Sequence, residues 1–284
     1  MANVYIQRFQ LLSESQEYNF IRNLRQTCYN SVYPYKIFPE KQLRQIEFEP
    51  ITIFYGGNGS GKTTLLNLIA EKCHIRRHSR FNESVFFEQY AEGCSMEGIV
   101  PRSSQMLTSD DVFDYLLDIR SINAGIDIRR QELFSDFTQR KYAHHQLGSM
   151  SEYEDFKESC AAKRQSQSQF VRDRLMNNVE MYSNGESAMQ YFEEHIKENA
   201  LYLLDEPENS LSIELQQRLS EFLLESARFF GCQFVIATHS PVLLAMKGAR
   251  IYDLDSVPVQ TRKWTELENV RRYFDFFMEH QNEF

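Results

Sequence analysis

One run of eight residues constrains this chain more than any other: Gly56-Gly57-Asn58-Gly59-Ser60-Gly61-Lys62-Thr63. It satisfies G-x-x-x-x-G-K-[ST]. It stands between ITIFY (51–55), a β-branched and aromatic run that reads as a strand, and TTLLNLIAEK, which reads as a helix with Leu65, Leu68 and Ile69 on one face. Glycines at this density let successive backbone N–H groups turn inward around phosphate oxygens, where side chains would obstruct them. The following helix adds the positive end of its dipole. In such a loop Lys62 reaches the β- and γ-phosphates and the Thr63 hydroxyl ligates Mg²⁺, with Thr64 completing the phosphate-facing set.

A second ordered stretch lies near the end. ALYLLDE (200–206) is an apolar run closed by two acids. Residues 212–229 read as an amphipathic helix with Leu215, Leu219, Phe222 and Leu223 on one face and Gly231 just past its end, and CQFVIATHS (232–240) is another apolar run. Strand, helix, strand within about 40 residues makes a βαβ unit, so the core sheet is expected to be largely parallel. Asp205 and Glu206 then fall at a strand tip, where ligands bind in open α/β sheets. Asp205 suits a Mg²⁺ held through water, and Glu206 a general base on the attacking water. His239 follows the next strand, placed to accept from that water and donate to the γ-phosphate. Tyr182-Ser183-Asn184-Gly185-Glu186-Ser187 stands 22 residues (from Ser183) before Asp205, and His239 34 residues after it.

These four segments, in this order and spacing, resemble the ATP-binding-cassette ATPase superfamily: phosphate loop, S-x-G-[EQ] signature, aspartate–glutamate pair, switch histidine. DEPENSLS (205–212) and ATHSPVLL (237–244) look like its soluble branch, which holds chromosome-maintenance and recombination-repair ATPases, OLD-like ATPases and small stand-alone bacterial ATPases. The resemblance implies ATP and Mg²⁺ as cofactors and a head-to-tail homodimer. Ser183, Gly185 and Glu186 of one copy would cover the nucleotide on the other's phosphate loop. It also implies a Mg²⁺-sensing glutamine in the middle, for which Gln105 fits and Gln89 is the alternative, and an adenine-stacking aromatic among Tyr33, Tyr35 and Phe38. The chain departs from the family in reading Tyr-Ser-Asn-Gly-Glu at the signature and Ser210-Leu211-Ser212 where an aspartate is usual.

The expected fold is therefore α/β, a P-loop NTPase of ABC type. A mostly parallel sheet flanked by helices is joined by an N-terminal antiparallel β part and a helical subdomain. One domain spans 1–284, with 1–104 and 190–284 as nucleotide-binding core and about 105–189 as the subdomain carrying the signature. The composition, 42% hydrophobic and 25% charged, is that of a globular chain and excludes collagenous or wholly disordered ones. A net charge of −9 argues against a basic nucleic-acid coat but leaves a local groove open. Five cysteines, none at C-x-x-C spacing, argue against a disulfide framework or zinc ribbon and for a reduced, cytoplasmic setting. No apolar run nears the roughly 18 residues that span a bilayer.

Functionally, the set predicts a Mg²⁺-dependent ATPase that dimerises on ATP. It would act as a switch for a protein effector encoded nearby (nuclease, toxin or reverse transcriptase), with anti-phage defence as one setting. A nucleotide-gated scaffold with little hydrolysis is one alternative. Another is a DNA repair ATPase using Arg129, Arg130, Arg140, Lys141, Lys163, Arg164, Arg172 and Arg174 of the middle, whose plainer reading is a solvated helix face. The motor subunit of an importer is the least favoured reading.

Overall fold

The computed structural model describes residues 3–24, 29, 31–142, 156–157, 160, 163–179 and 183–284. Tyr182 of the signature lies outside them. The chain divides into two compact units: Met1–Phe113 with Asn184–Phe284, and Asp114–Ser183.

The larger unit is built on a six-stranded sheet. Its strands are β3 (Ile51–Tyr55), β5 (Gln105–Thr108), β6 (Leu201–Asp205), β7 (Gln233–Thr238), β8 (Arg250–Asp253) and β9 (Gln260–Thr261), in the order β5-β6-β7-β3-β8-β9. All pairs are parallel except β8–β9. Every residue of β3, β6 and β7 is buried, as both faces of a parallel sheet covered by helices require. The continuous apolar runs in the sequence have this cause.

A three-stranded antiparallel sheet, β2-β1-β4, is formed by β1 (Ile6–Gln10), β2 (Gln45–Glu47) and β4 (Ser95–Gly98). Its inward residues Ile6, Phe9 and Ile46 share one core with Leu65, Leu68 and Ile69 of the helix Lys62–Lys72 and with Phe87 and Tyr90 of the helix Phe87–Gly93. The fully buried Gln233 side chain ties the two sheets. Its carbonyl accepts from the N–H groups of Tyr5 (2.7 Å) and Ile6 (2.9 Å), and its amide donates to Ile6 O at 2.9 Å.

The elements read from sequence recur with small end shifts. The amphipathic helix is Ile213–Phe229, capped by the Ser212 hydroxyl and closed by Gly231 at φ 65°. A further helix, Phe87–Gly93, packs on the same core. It is short and has no side-chain cap, and it is held by burial of Phe87, Tyr90 and Ala91.

The smaller unit carries most of a 34-residue helix, Ser109–Tyr142, and the helix Gln167–Arg172. Leu133, Phe137, Phe170 and Val171 form its core. Asn123 pins a returning strand of chain by a reciprocal pair: its amide donates to Val179 O (3.0 Å) and its carbonyl accepts from Val179 N–H (2.8 Å). Among the described residues no helix is long and apolar enough to cross a membrane.

Candidate functional site

Five parallel strands end in one row, and each end carries polar groups: Thr108 after β5, Asp205-Glu206 after β6, Thr238-His239 after β7, the glycine loop after β3, and Asp255 after β8. The row exists because the sheet is parallel, so every C-terminal tip faces the same way.

The glycine loop needs its glycines at stated positions. Gly59 (φ 80°) and Gly61 (φ 94°) hold left-handed conformations, and a Cβ on Gly56 would sit 2.5 Å from Ser60 Oγ. Lys62 is 5% exposed. Its ammonium folds back under the loop, donating to Gly56 O at 2.8 Å and Gly57 O at 3.1 Å, so the buried cation is satisfied by carbonyls and held at the loop. The Thr63 hydroxyl donates to Asp205 Oδ1 at 3.1 Å. Lys62 Nζ lies 3.8 Å from Glu206 Oε1, and that oxygen lies 3.9 Å from His239 Nδ1. Three of the four segments singled out by spacing, the phosphate loop, the acidic pair and the histidine, thus supply a continuous chain of contacts, Asp205 to Thr63 and Lys62 to Glu206 to His239.

Asp205 is buried, and desolvation pushes its carboxyl up to about 6, against the Thr63 hydrogen bond and with help from the neighbouring Glu206. Glu206 has φ 48°, a conformation rare outside glycine. Its backbone N–H donates to Ala237 O (2.9 Å), which turns the chain sharply at the strand tip. A cavity of about 450 Å³ beside the loop is lined by Tyr33, Ile37, residues 58–64 and Glu206. One of about 700 Å³ is lined by Thr63, Thr64, Asn67, Arg77, Thr108 and Asp205 among others.

Of the three aromatics weighed for adenine, Tyr33 lines the cavity beside the loop, its hydroxyl donating to Thr64 Oγ1 at 3.0 Å, and the Phe38 ring packs near Gly61, 3.8 Å from where a Cβ there would sit. Tyr35 and Phe38 are core residues, Tyr35 stacked on Phe20. Buried Glu17 accepts from Lys36 N–H (2.6 Å) and the Tyr90 hydroxyl (2.7 Å), fixing the left-handed turn at Lys36 that follows Tyr33.

Gln105 is not brought to the site. Register sets it beside Tyr202, at the start of β5, while Thr108 is the residue beside Asp205. Three residues of strand separate the two levels, about 10 Å. Gln89 is exposed on the helix Phe87–Gly93, where it lines a different cavity with Phe20 and Phe86. Of the signature, Ser183 belongs to the smaller unit, and Asn184 opens the helix Asn184–His195 of the larger. Gly185 packs so tightly there that a Cβ would meet Leu215 Cδ1 at 2.6 Å and Ser210 O at 3.2 Å. Glu186 sits in the first turn.

The family model described as "ABC transporter" matches residues 44–209, more than half of the chain. The chain belongs to the ABC-type ATPase family. A second model, described as "AAA domain, putative AbiEii toxin, Type IV TA system", matches residues 186–245 of this ABC-type ATPase. Among solved structures it is similar to the Smc head domain with an extended coiled coil, bound to the C-terminal domain of ScpA, from Pyrococcus furiosus: 13% identity over 98% of this chain and 99% of that one, TM-score 0.43. It is also similar to the SMC head domain from Thermotoga maritima (12% identity, 92% and 99% covered, TM-score 0.41) and to cbiO1 from Clostridium perfringens (16%, 85% and 91%, TM-score 0.35). No curated protein matches it.

Three polar residues at the strand ends of this ABC-type ATPase escaped the sequence reading. Asp255 Oδ2 accepts the Gly57 N–H at 2.8 Å. Arg77 lies over the Phe81 ring at 3.8 Å; burial lowers its proton affinity, while Asp111, Glu71 and Asp205 act against that. Glu208 is buried against Thr238 and His239. Only Glu208 had a visible signal, a second acid in the DEPEN turn.

Proposed function

We propose that this ABC-type ATPase binds Mg²⁺–ATP on the loop 56–63 and hydrolyses it, and that two nucleotide-bound copies close head to tail as a switch for a protein effector. The observation that carries the reading is the unbroken run of contacts from Asp205 and Thr63 through Lys62 to Glu206 and His239.

The residues present fit the ligand. The loop's positive-φ glycines leave a cradle a Cβ would fill, and Thr63 with Asp205 is a hydroxyl–carboxylate pair of the kind that shares Mg²⁺ with phosphates. Thr63 and Asp205 would hold Mg²⁺, which would supply positive charge against the negative charge developing on the phosphates. Lys62, released from the Gly56 and Gly57 carbonyls, supplies a second positive charge at the γ-phosphate. Glu206 takes the proton of the attacking water, and His239 accepts a hydrogen bond from the same water. Ser183, Gly185 and Glu186, at the start of a helix whose dipole favours anions, cap the nucleotide held by the partner copy. Hydrolysis removes that shared anion and loosens the pair.

The match of residues 186–245 to a toxin–antitoxin family model supports an effector setting. We place a nuclease, toxin or reverse transcriptase as partner, an anti-phage role and a cytoplasmic location within this proposal. DNA binding is the weaker reading. Arg129 and Arg140 sit on helix neighbours Glu132 (2.6 Å) and Asp136 (2.7 Å), Arg130 pairs with Asp127, and Lys141 and Arg174 lie over aromatic rings.

Glu206→Gln is the test. It is expected to keep ATP binding, to lower turnover about 10²–10³-fold, and to accumulate dimer in light scattering with ATP. Turnover at the wild-type rate would remove Glu206 as base, and monomers only, with ATP saturating, would remove the sandwich.

A further inference from the structure

The turn after β6 holds a buried carboxylate that the reaction above does not use. Glu208 is 6% exposed. Its Oε1 accepts the Thr238 hydroxyl at 2.6 Å and the backbone N–H of His239 at 3.0 Å, and it lies 3.4 Å from His239 Nδ1. Its Oε2 is buried without a hydrogen-bond partner among the described residues. Keeping a carboxylate out of water with half of it unsatisfied is costly, so packing alone is a poor reason for an acid here.

The proton inventory around Oε1 is closed. The backbone N–H can only donate. The Thr238 oxygen already accepts from Ser240 N–H at 3.0 Å, which leaves its own proton for Glu208. A lone pair on Nδ1 would therefore face an acceptor oxygen and be repelled, whereas a proton there is attracted. Glu206 Oε1, at 3.9 Å, is the competing acceptor, half an ångström farther. The cavity of about 370 Å³ that His239 lines also carries Asp255, Glu268 and Arg272.

We propose that Glu208 is the positioning residue of His239. It holds the imidazole as the Nδ1–H tautomer, keeps Nδ1 off Glu206, and leaves Nε2 with a free lone pair for the attacking water, so the ring has no second N–H for the γ-phosphate donation expected from the sequence. The role of Nε2 rests on the hydrolytic reading above; the tautomer does not. A group that orients a catalytic histidine through its second nitrogen is a recurrent device.

The test is a long-range ¹H–¹⁵N spectrum of histidine-labelled, nucleotide-free protein, recorded at a pH where the ring shows one protonated and one bare nitrogen. The His239 signals are assigned by their loss in H239Q. Wild type and Glu206→Ala are expected to carry the proton on Nδ1, and Glu206→Ala/Glu208→Ala, where neither carboxylate can take that proton, on Nε2. Glu208→Gln is expected to keep Nδ1–H, because the His239 backbone N–H selects the carbonyl oxygen of the new amide rather than its NH₂. ATP turnover is expected to fall about a hundredfold in Glu208→Ala with KM within about threefold, and to be largely rescued in Glu208→Gln.

A wild-type proton on Nε2, or Nδ1–H surviving in Glu206→Ala/Glu208→Ala, overturns the proposal. Should that double variant not fold, the wild-type spectrum decides alone. A wild-type chain with Nδ1–H that turns over no ATP would sink the proposed hydrolysis and leave the Glu208–His239 arrangement standing.

Discussion

The row of strand ends and the smaller unit treat charge in opposite ways. At the strand ends Lys62, Asp205 and Glu208 are nine-tenths or more buried, and Glu206 is bent into a strained conformation beside them. Among the described residues of the unit 114–183 the charges are exposed or half-buried, and several of them pair with acids three or four residues away on the same helix. Helix pairs of the second kind contribute a few tenths of a kcal/mol and mainly keep a surface solvated. Charges of the first kind oppose folding, and the proposed nucleotide gives a reason for keeping them. Where a chain keeps ions dry is therefore better evidence of chemistry than where it keeps many of them.

The sharpest break of that contrast would come from the smaller unit's core. Among the described residues it is four buried side chains with Phe134 and Leu175 packed against them, and Phe170 is fully buried against Phe137 with ring centroids 5.4 Å apart. Phe170→Ala is expected to cost about 3–5 kcal/mol. Denaturant unfolding followed by hydrogen exchange should show residues 114–183 opening early while the strands β3, β6 and β7 keep their protection. Equal loss of protection in both units would mean that they do not hold their stability separately.

Asp205 comes next. Its carboxyl titrates near 6 in the folded chain against 3.8 for an unperturbed one. The raised value means that the folded state favours the proton. The associated stability is complete below about pH 3.8 and is lost as pH rises through about 6, so at neutral pH the ionised group costs about 2–3 kcal/mol. Asp205→Asn, which can still accept from Thr63, is expected to raise the melting temperature of the nucleotide-free protein at pH 7, with the gain vanishing near pH 4, and to weaken Mg²⁺-dependent ATP binding. An unchanged melting temperature at pH 7 would show that Asp205 is better solvated than its burial indicates.

The same contrast explains what the sequence could disclose. Lys62, Asp205, Glu206 and His239 were legible because each follows an apolar run whose length fixes where the strand stops. The parallel sheet then brings the stops together. Gln105 was misplaced because it was chosen by distance along the chain from Lys62. The helix Phe87–Gly93 and strand β4 intervene, and only pairing with Tyr202 reveals which end of β5 it occupies. Glu208 and Asp255 were missed for a related reason. Their roles arise when the left-handed residues Glu206 and Ser210 turn the chain back, and when β8 ends beside the glycine loop, neither of which leaves a periodic trace.

The smallest expected effect tests the other half of the contrast. Arg129 and Arg140 are each held by an acid on their own helix, Glu132 at 2.6 Å and Asp136 at 2.7 Å, with Arg129 largely exposed. Arg129→Gln and Arg140→Gln are each expected to change stability by no more than about 0.5 kcal/mol, less at high salt. An arginine whose charge is matched by its own helix adds little field for a phosphate backbone to feel, so neither change should alter affinity for duplex DNA at low salt. A DNA contact would behave differently: each lost phosphate contact lowers the slope of log affinity against log salt by about one. A drop of that size on either substitution would turn this solvated face into a binding face and would remove the distinction between the two ways of carrying charge.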